Sequence, residues 1–504
     1  MPSADPAFQS CTEALAPERK IYRYGNSRAF LKFNGRRFKS SPTLMRRIDN
    51  TKSLFLMTLL KARVIRISTA SILAGIFIGL VGGAFRYLLI AADSQRNALI
   101  AWAHAWPCIG WLAPVALGLV GAAAARIMVV RFAPVAEGSG IQRVEAVFSG
   151  EVKPAPHAIV PVKFFGGLLA MGSGLALGRE GPTVQMGSTF GFLISRFLTK
   201  GDQDIRVIGA AGAGAGLAVA FNAPIGGSIF VFEELTSSFT PWLMVATLSA
   251  ALVAVWVMRW MLGNALDFTV KPVSLIHVWR TGPFLALGAL LGAVGALYNA
   301  ATIGLLRLAD RLPKISSIKR AAIIGATVGL VAWFAPATVG GGEALTQAIL
   351  ADRYAVGGLL TLFLARSLLG PWSYAAGAPG GLFAPLLVLG ASSGALFAGV
   401  MNHFLPLLDL SPIACAVVGM AALFSASVRA PLTGIVLTVE MTGRGDLTLG
   451  LLGASLMAMV VAMLLRSEPI YETLKRRMLA HEIAATKLGG SRPGKLRACL
   501  GSTC

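Results

Sequence analysis

The chain has 504 residues, 55% of them hydrophobic and only 13% charged; a soluble domain carries roughly 25% charged residues, so the composition excludes a water-soluble enzyme or binding domain. The net charge of +22 invites a nucleic-acid reading, but residues 1–66 hold fourteen Lys/Arg against four Asp/Glu, and residues 466–504 hold eight against three. That is the basic excess of cytoplasmic segments flanking membrane spans, with attraction to anionic lipid as a second effect. Nothing interleaves aromatics with a basic sheet or recognition helix, so no nucleic-acid partner is expected.

Residues 1–66 read as a basic cytoplasmic segment without the apolar core and small-residue cleavage site of a signal peptide. A glycine-rich hydrophobic helix follows over Ala70–Ala92, where Gly75, Gly79 and Gly83 at four-residue spacing let helix backbones approach closely. Next come Arg131-Phe132-Ala133-Pro134 with Gly138-Ser139-Gly140, then Lys163-Phe164-Phe165-Gly166-Gly167, then Gly178-Arg179-Glu180-Gly181-Pro182. Gly209, Gly212, Gly214 and Gly216 are read as helix packing, since no strand precedes them and no phosphate lysine follows. Phe239 to Met258 is uncharged and has the length of about 20 residues needed to cross a bilayer. A second glycine-rich helix is expected over Pro283–Leu308, a further uncharged run covers Leu447 to Leu465, and a C-terminal helix covers 468–480. Gly and Pro cut the segments between into pieces too short to span. The membrane domain is thus residues 67–480, followed by a cytoplasmic tail at 481–504.

The two glycine-rich helices open two related halves, about 67–265 and about 280–465. Arg131–Pro134 with Gly138–Gly140 recurs at an offset of 202 as Trp333-Phe334-Ala335-Pro336 with Gly340-Gly341-Gly342. Gly178–Pro182 overlies Gly381-Leu382-Phe383-Ala384-Pro385 at 203, and Ala223-Pro224 with Glu233 overlies Ala430-Pro431 with Glu440 at 207. Gly79, Gly82 and Phe85 match Gly292, Gly295 and Tyr298 at 213. Four coincidences in one order indicate duplication. Broken helices at matching places in two repeats point to a transporter site near the membrane middle; parallel and inverted repeats both remain open from the residues alone.

No phosphate loop, zinc spacing or serine-nucleophile elbow occurs, and Cys11, Cys108, Cys415, Cys499 and Cys504 are scattered. Neither an enzyme nor a metal or other cofactor is expected.

Three segments carry the chemistry: Gly138-Ser139-Gly140-Ile141-Gln142, Gly178–Pro182 and Gly381–Pro385. Each joins glycines to the start of an apolar helix, where the first backbone N–H groups lack partners and the dipole is positive. Several such ends converging would hold an anion by partial charges and still release it, unlike a lysine. Taken singly, each segment is an ordinary helix break; together they point to an anion site. Glu180 in an apolar stretch is a functional acid, with an ion pair to Arg179 as the plain alternative. Ionised, it can occupy an anion site; protonated, it can swing away. Glu233 and Glu234 lie about 100° apart on a helix, so one of them can face a given path.

These motifs resemble those of the CLC chloride channels and transporters. The resemblance runs in order through Lys163–Gly167, Gly178–Gly187 (GREGPTVQMG), Phe221–Pro224 with Glu233-Glu234, Gly377–Pro385 (GAPGGLFAP), Arg429–Gly434 (RAPLTG), Glu440–Thr442 and Pro469-Ile470-Tyr471. It implies an all-α polytopic membrane protein of two inverted-topology repeats of broken, tilted helices. It further implies chloride/proton antiport, with a passive voltage- or pH-gated chloride channel, or an exchanger of nitrate or fluoride, as alternatives. A central chloride would be held by the Ser139 hydroxyl, the Tyr471 phenol and the Leu382 and Phe383 amides. Glu180 would be the external gate, Glu234 the internal proton-transfer acid and Glu145 its supporting acid. Lys163 would be a buried cation raising the potential for anions, with snorkelling to an interface as its alternative. Gln142 stands where the family's first motif has proline, and Arg143 where an acid is frequent. A tail of 33 residues after Tyr471 is too short for paired regulatory nucleotide-binding domains, which suggests a bacterial inner-membrane homodimer.

Overall fold

The computed structural model describes residues 32–33, 36–37, 42–199, 201–271, 282–312 and 315–489, with side chains from 61 to 484 among them. Most of the basic segment 1–66 and the tail beyond 489 therefore lie outside the described residues. The chain divides into two units, residues 1–62 and 63–504. In the first, the described part is a two-residue antiparallel pairing of Lys32–Phe33 with Arg36–Arg37 and a helical start from Pro42.

The second unit is built of helices joined by turns. Its first half runs α1 (Pro42–Ala103, which begins in the first unit), α2 (Leu112–Phe132), α3 (Ile141–Phe148), α4 (Ile159–Gly172), α5 (Glu180–Leu198), α6 (Asp202–Phe221), α7 (Pro224–Phe230) and α8 (Pro241–Leu262). The second half repeats this order as α9 (Gly282–Asp310), α10 (Ser317–Phe334), α11 (Glu343–Leu350), α12 (Val356–Tyr374), α13 (Phe383–Phe404), α14 (Pro412–Val428), α15 (Pro431–Thr442) and α16 (Thr448–Leu464). Helix α17 (Ile470–Gly489) follows. The first helix is far longer than the expected Ala70–Ala92: after Pro42 no proline interrupts it, and its Lys, Arg, Leu and Met residues are strong helix formers.

Among the described residues, eight helices are long and apolar enough to cross a membrane. Large apolar side chains face outward, Trp256 at 70% exposure and Trp260 at 80% among them. On a soluble protein such a surface would aggregate; on this one it meets lipid. The protein is integral to the membrane. Helices α5, α6, α13 and α14 fill the centre, where small residues bring backbones into contact: Gly187 with Gly212, and Gly390 with Gly419. The glycines of α1 do what their spacing predicts, Gly75 and Gly79 resting on the backbones of Ala250 and Ala254. Gly288 and Gly292 of α9 rest likewise on Ala454 and Ala458.

The repeats are inverted. Gly118 packs on Gly325 and Pro114 on Gly329, so the repeat mates α2 and α10 run antiparallel. The mates α7 and α15 do the same: the start of α7 receives a carboxylate from the last turn of α15, and the start of α15 receives one from the turn that follows α7. Glu440 accepts from the amides of Ile225 (3.1 Å) and Gly226 (2.6 Å), while Glu233 accepts from those of Leu432 (3.0 Å) and Thr433 (2.7 Å). Every residue in one set lies 207 positions from its counterpart in the other. Each acid satisfies two orphan amides at a helix start and complements its dipole.

Candidate anion and proton site

Inversion turns the starts of α5 and α13 toward one another. Gly178 and Gly381 pair as an antiparallel bridge, their amides and carbonyls exchanging bonds of 2.8 and 2.7 Å. The Gly138 loop joins them, its carbonyl accepting from Gly380 N at 3.1 Å. All three motifs thus meet. Pro182 and Pro385 fall in the first turns of α5 and α13, where no intrahelical N–H is lost.

At this junction the fully buried Glu180 places Oε1 on the N-terminus of α13. It accepts from Phe383 N at 2.7 Å and Ala384 N at 3.3 Å, while Oε2 has no partner. A Cβ on Gly178 or Gly381 would strike this carboxylate, so the cradle requires both glycines. Arg179, the alternative partner, instead binds Glu343 (2.6 Å), Asp267 (3.4 Å) and the carbonyl of Ala220 (2.8 Å). The ring of Phe383 is wedged between Phe221 and Phe424, at 4.8 and 4.1 Å between centroids, which fixes the start of α13. Leu382 is the N-cap of α13; the amides taken by Glu180 are the next two, and Ala384 was not foreseen.

Ser139 Oγ lies over Gly181, one residue from the acid, and has no hydrogen-bond partner. Gly138 and Gly140 have φ of 62° and 87°, which glycine adopts without strain, and Gly140 releases the chain into α3 at Ile141. Tyr471, at the start of α17, is fully buried; its phenol adjoins the Ser139 hydroxyl and also lacks a geometric hydrogen bond. Such buried unpaired hydroxyls are costly unless something fills the space they share.

Lys163 is fully buried and does not snorkel: Nζ donates to the carbonyls of Gly138 (2.7 Å) and Ser139 (3.0 Å). The second repeat carries a counterpart that sequence reasoning missed. Arg366, 203 positions on and 2% exposed, donates to the carbonyls of Thr338, Gly340 and Gly341 at 2.8–3.0 Å. The offset already in hand would have found it. Each repeat thus has a buried cation that shapes its glycine loop.

Glu233 and Glu234 point apart, as neighbours on a helix do; they lie in a π turn over Val231–Leu235, a feature common at functional sites. Glu233 caps α15, whereas Glu234 lies in the field of Glu145, Glu233, Glu472 and Lys475. Glu145 is bound to Lys475 at 2.6 Å, and Lys475 to Glu472 at 2.7 Å. The Lys475 ammonium holds the Glu472 carboxyl below the usual carboxylate range. The Glu145–Lys475 pair and Arg143–Glu482 at 2.5 Å fasten α3 to α17 and so set Ser139 beside Tyr471. Arg143, which departs from the resembled motif, thus has a structural partner.

Residues 121–463 match the family described as voltage gated chloride channel. The chain is 38% identical over 422 residues to the H(+)/Cl(-) exchange transporter ClcA of Vibrio cholerae serotype O1 (strain M66-2), covering 82% of this chain and 89% of that one. It is 36% identical over 419 residues to the protein of the same name from Cronobacter sakazakii, covering 82% and 90%. Its structure superposes on that of a slow cyanobacterial Cl-/H+ antiporter with a TM-score of 0.79 at 31% identity, covering 82% of this chain and 98% of that one. By sequence, fold and the meeting of its three motifs, the chain belongs to the voltage-gated chloride channel, or CLC, family.

Proposed function

We propose that this protein is a secondary active transporter that exchanges chloride for protons, with Glu180 as the gate where the two ions compete. The observation that carries the reading is the Glu180 carboxylate seated on the Phe383 and Ala384 amides, a position equally suited to a halide. Protonation removes the charge that holds the carboxylate there; the side chain then leaves, and chloride takes the amides. Deprotonation returns the carboxylate and drives chloride on. A central chloride is held by the Ser139 and Tyr471 hydroxyls and the start of α13, with the Leu382, Phe383 and Ala384 amides at hand, and Lys163 raises the potential around it.

Glu234 passes protons between the cytoplasm and Glu180, with Glu145 and Lys475 setting its surroundings. Its repeat counterpart at the offset of 207 is Met441, so only the first half carries this acid. The protein sits in a bacterial inner membrane with both basic termini in the cytoplasm, and it forms a homodimer with one pathway per subunit. Ile225 (54% exposed) and Leu432 (50% exposed), at matched positions of α7 and α15, offer a pseudo-twofold apolar face for that contact.

The test is flux in liposomes. An imposed chloride gradient should drive protons uphill; chloride movement with no proton movement would instead mean a passive channel.

A further inference from the structure

Tyr374 ends α12 and Gln142 lies in the first turn of α3, so the two reach the Ser139 loop from opposite repeats. The Ser139 amide donates to Tyr374 Oη at 3.3 Å. The fit is close: a Cβ on Gly138 would stand 2.7 Å from that oxygen. The side chain of Gln142 adjoins the same phenol, while its Oε1 is buried and unpartnered. Tyr374 is 4% exposed and Gln142 8%.

The N–H of Ser139, two residues before the start of α3, is one of the backbone donors open to an anion beside this loop. Here a neutral oxygen already occupies it. A phenol that accepts from an N–H keeps its own hydrogen to give. That hydrogen turns about the C–O bond, whereas the amide is fixed by the backbone. Ser139 Oγ and Tyr471 Oη, which adjoin one another, are unpartnered as well.

We infer that Tyr374 and Gln142 are specificity-determining residues of the anion site: Tyr374 withdraws the Ser139 amide from the path and offers its hydroxyl hydrogen instead, and Gln142 steadies the phenol. The inference rests on the chloride–proton exchange reading. A swivelling donor accommodates anions of different shape, so the site tolerates planar nitrate better than one built on the fixed amide.

Tyr374→Phe keeps the ring and frees the amide. In liposomes loaded with chloride or nitrate, this variant should raise the chloride-to-nitrate flux ratio several-fold, and Gln142→Ala should shift it the same way by less. The variant exchanges a swivelling donor for a fixed one, so chloride and nitrate titrated calorimetrically into detergent-solubilised Tyr374→Phe should show the chloride-to-nitrate affinity ratio raised by about two- to tenfold, the worth of one hydrogen bond made well to one anion and poorly to the other. An unchanged flux ratio and an unchanged affinity ratio in Tyr374→Phe, beside a wild type that exchanges chloride for protons, would overturn this inference alone. A wild type that moves neither ion would overturn the exchange reading and this inference with it.

Discussion

Glu180 accepts a 2.7 Å hydrogen bond from the amide of Phe383, the residue 203 positions away that occupies its own place in the other repeat. The duplicated motif has diverged so that one copy supplies the donor and the other the charge that occupies it. Without the inversion, the two helix starts would face the same side of the membrane rather than each other.

Replacing that charge is the simplest intervention. Glu180→Gln keeps the shape but cannot ionise, so it no longer competes for the amides. Anion flux should persist without coupled proton flux and should lose its pH dependence. Liposome flux measured from about pH 3.5 to about pH 7.5, a window that brackets the ordinary glutamate value of about 4.3, checks this, and a retained pH dependence would contradict it.

The glycine cradle gives a second handle. Gly381 has no positive φ, and an added Cβ would first meet the movable Glu180 carboxylate. Gly381→Ala should therefore fold and displace the acid, giving faster anion flux with weakened proton coupling. A variant indistinguishable from wild type in both fluxes would mean that the carboxylate does not need this seat.

Much of this was readable in the residues, because helix starts advertise themselves through glycine and proline. The three motifs, Glu180 and the repeat could all be read that way, and packing by Gly75, Gly79, Gly288 and Gly292 followed from spacing alone. What could not be read depends on where buried polar chains turn. Lys163 could have snorkelled, but two loop carbonyls hold it inside. Arg179 could have paired with its neighbour, yet Asp267 and Glu343 take it. Arg366, Tyr374 and Lys475 lie within helices, with no motif to mark them. The inversion itself is a count of crossings that short helices hide; it emerges only from antiparallel contacts such as Gly118 with Gly325.

The reciprocal caps predict matched energetics. Glu440→Gln and Glu233→Gln each weaken two charge-assisted bonds from amides at a helix start, and Glu233→Gln one more from the Thr433 hydroxyl. Each should cost about 1 kcal/mol of stability. Thermal unfolding in detergent should give similar losses for both; a large loss for one and none for the other would contradict the symmetry.

Glu234→Val removes an acid that caps no helix. Proton flux should disappear while chloride flux continues, because the anion site contains none of its atoms. Paired chloride and pH electrodes on the same vesicles read both, and coupled proton movement surviving in this variant would remove Glu234 from the pathway.

In this mechanism a carboxylate and an anion share one seat. Crystals of Glu180→Gln grown in bromide, with anomalous diffraction recorded at the bromine edge, test it directly. A bromide peak within hydrogen-bonding distance of the Phe383 and Ala384 amides, absent from wild type grown in the same salt, is the expected result. Bromide missing from that position in the variant, with density elsewhere in the chain, would contradict it.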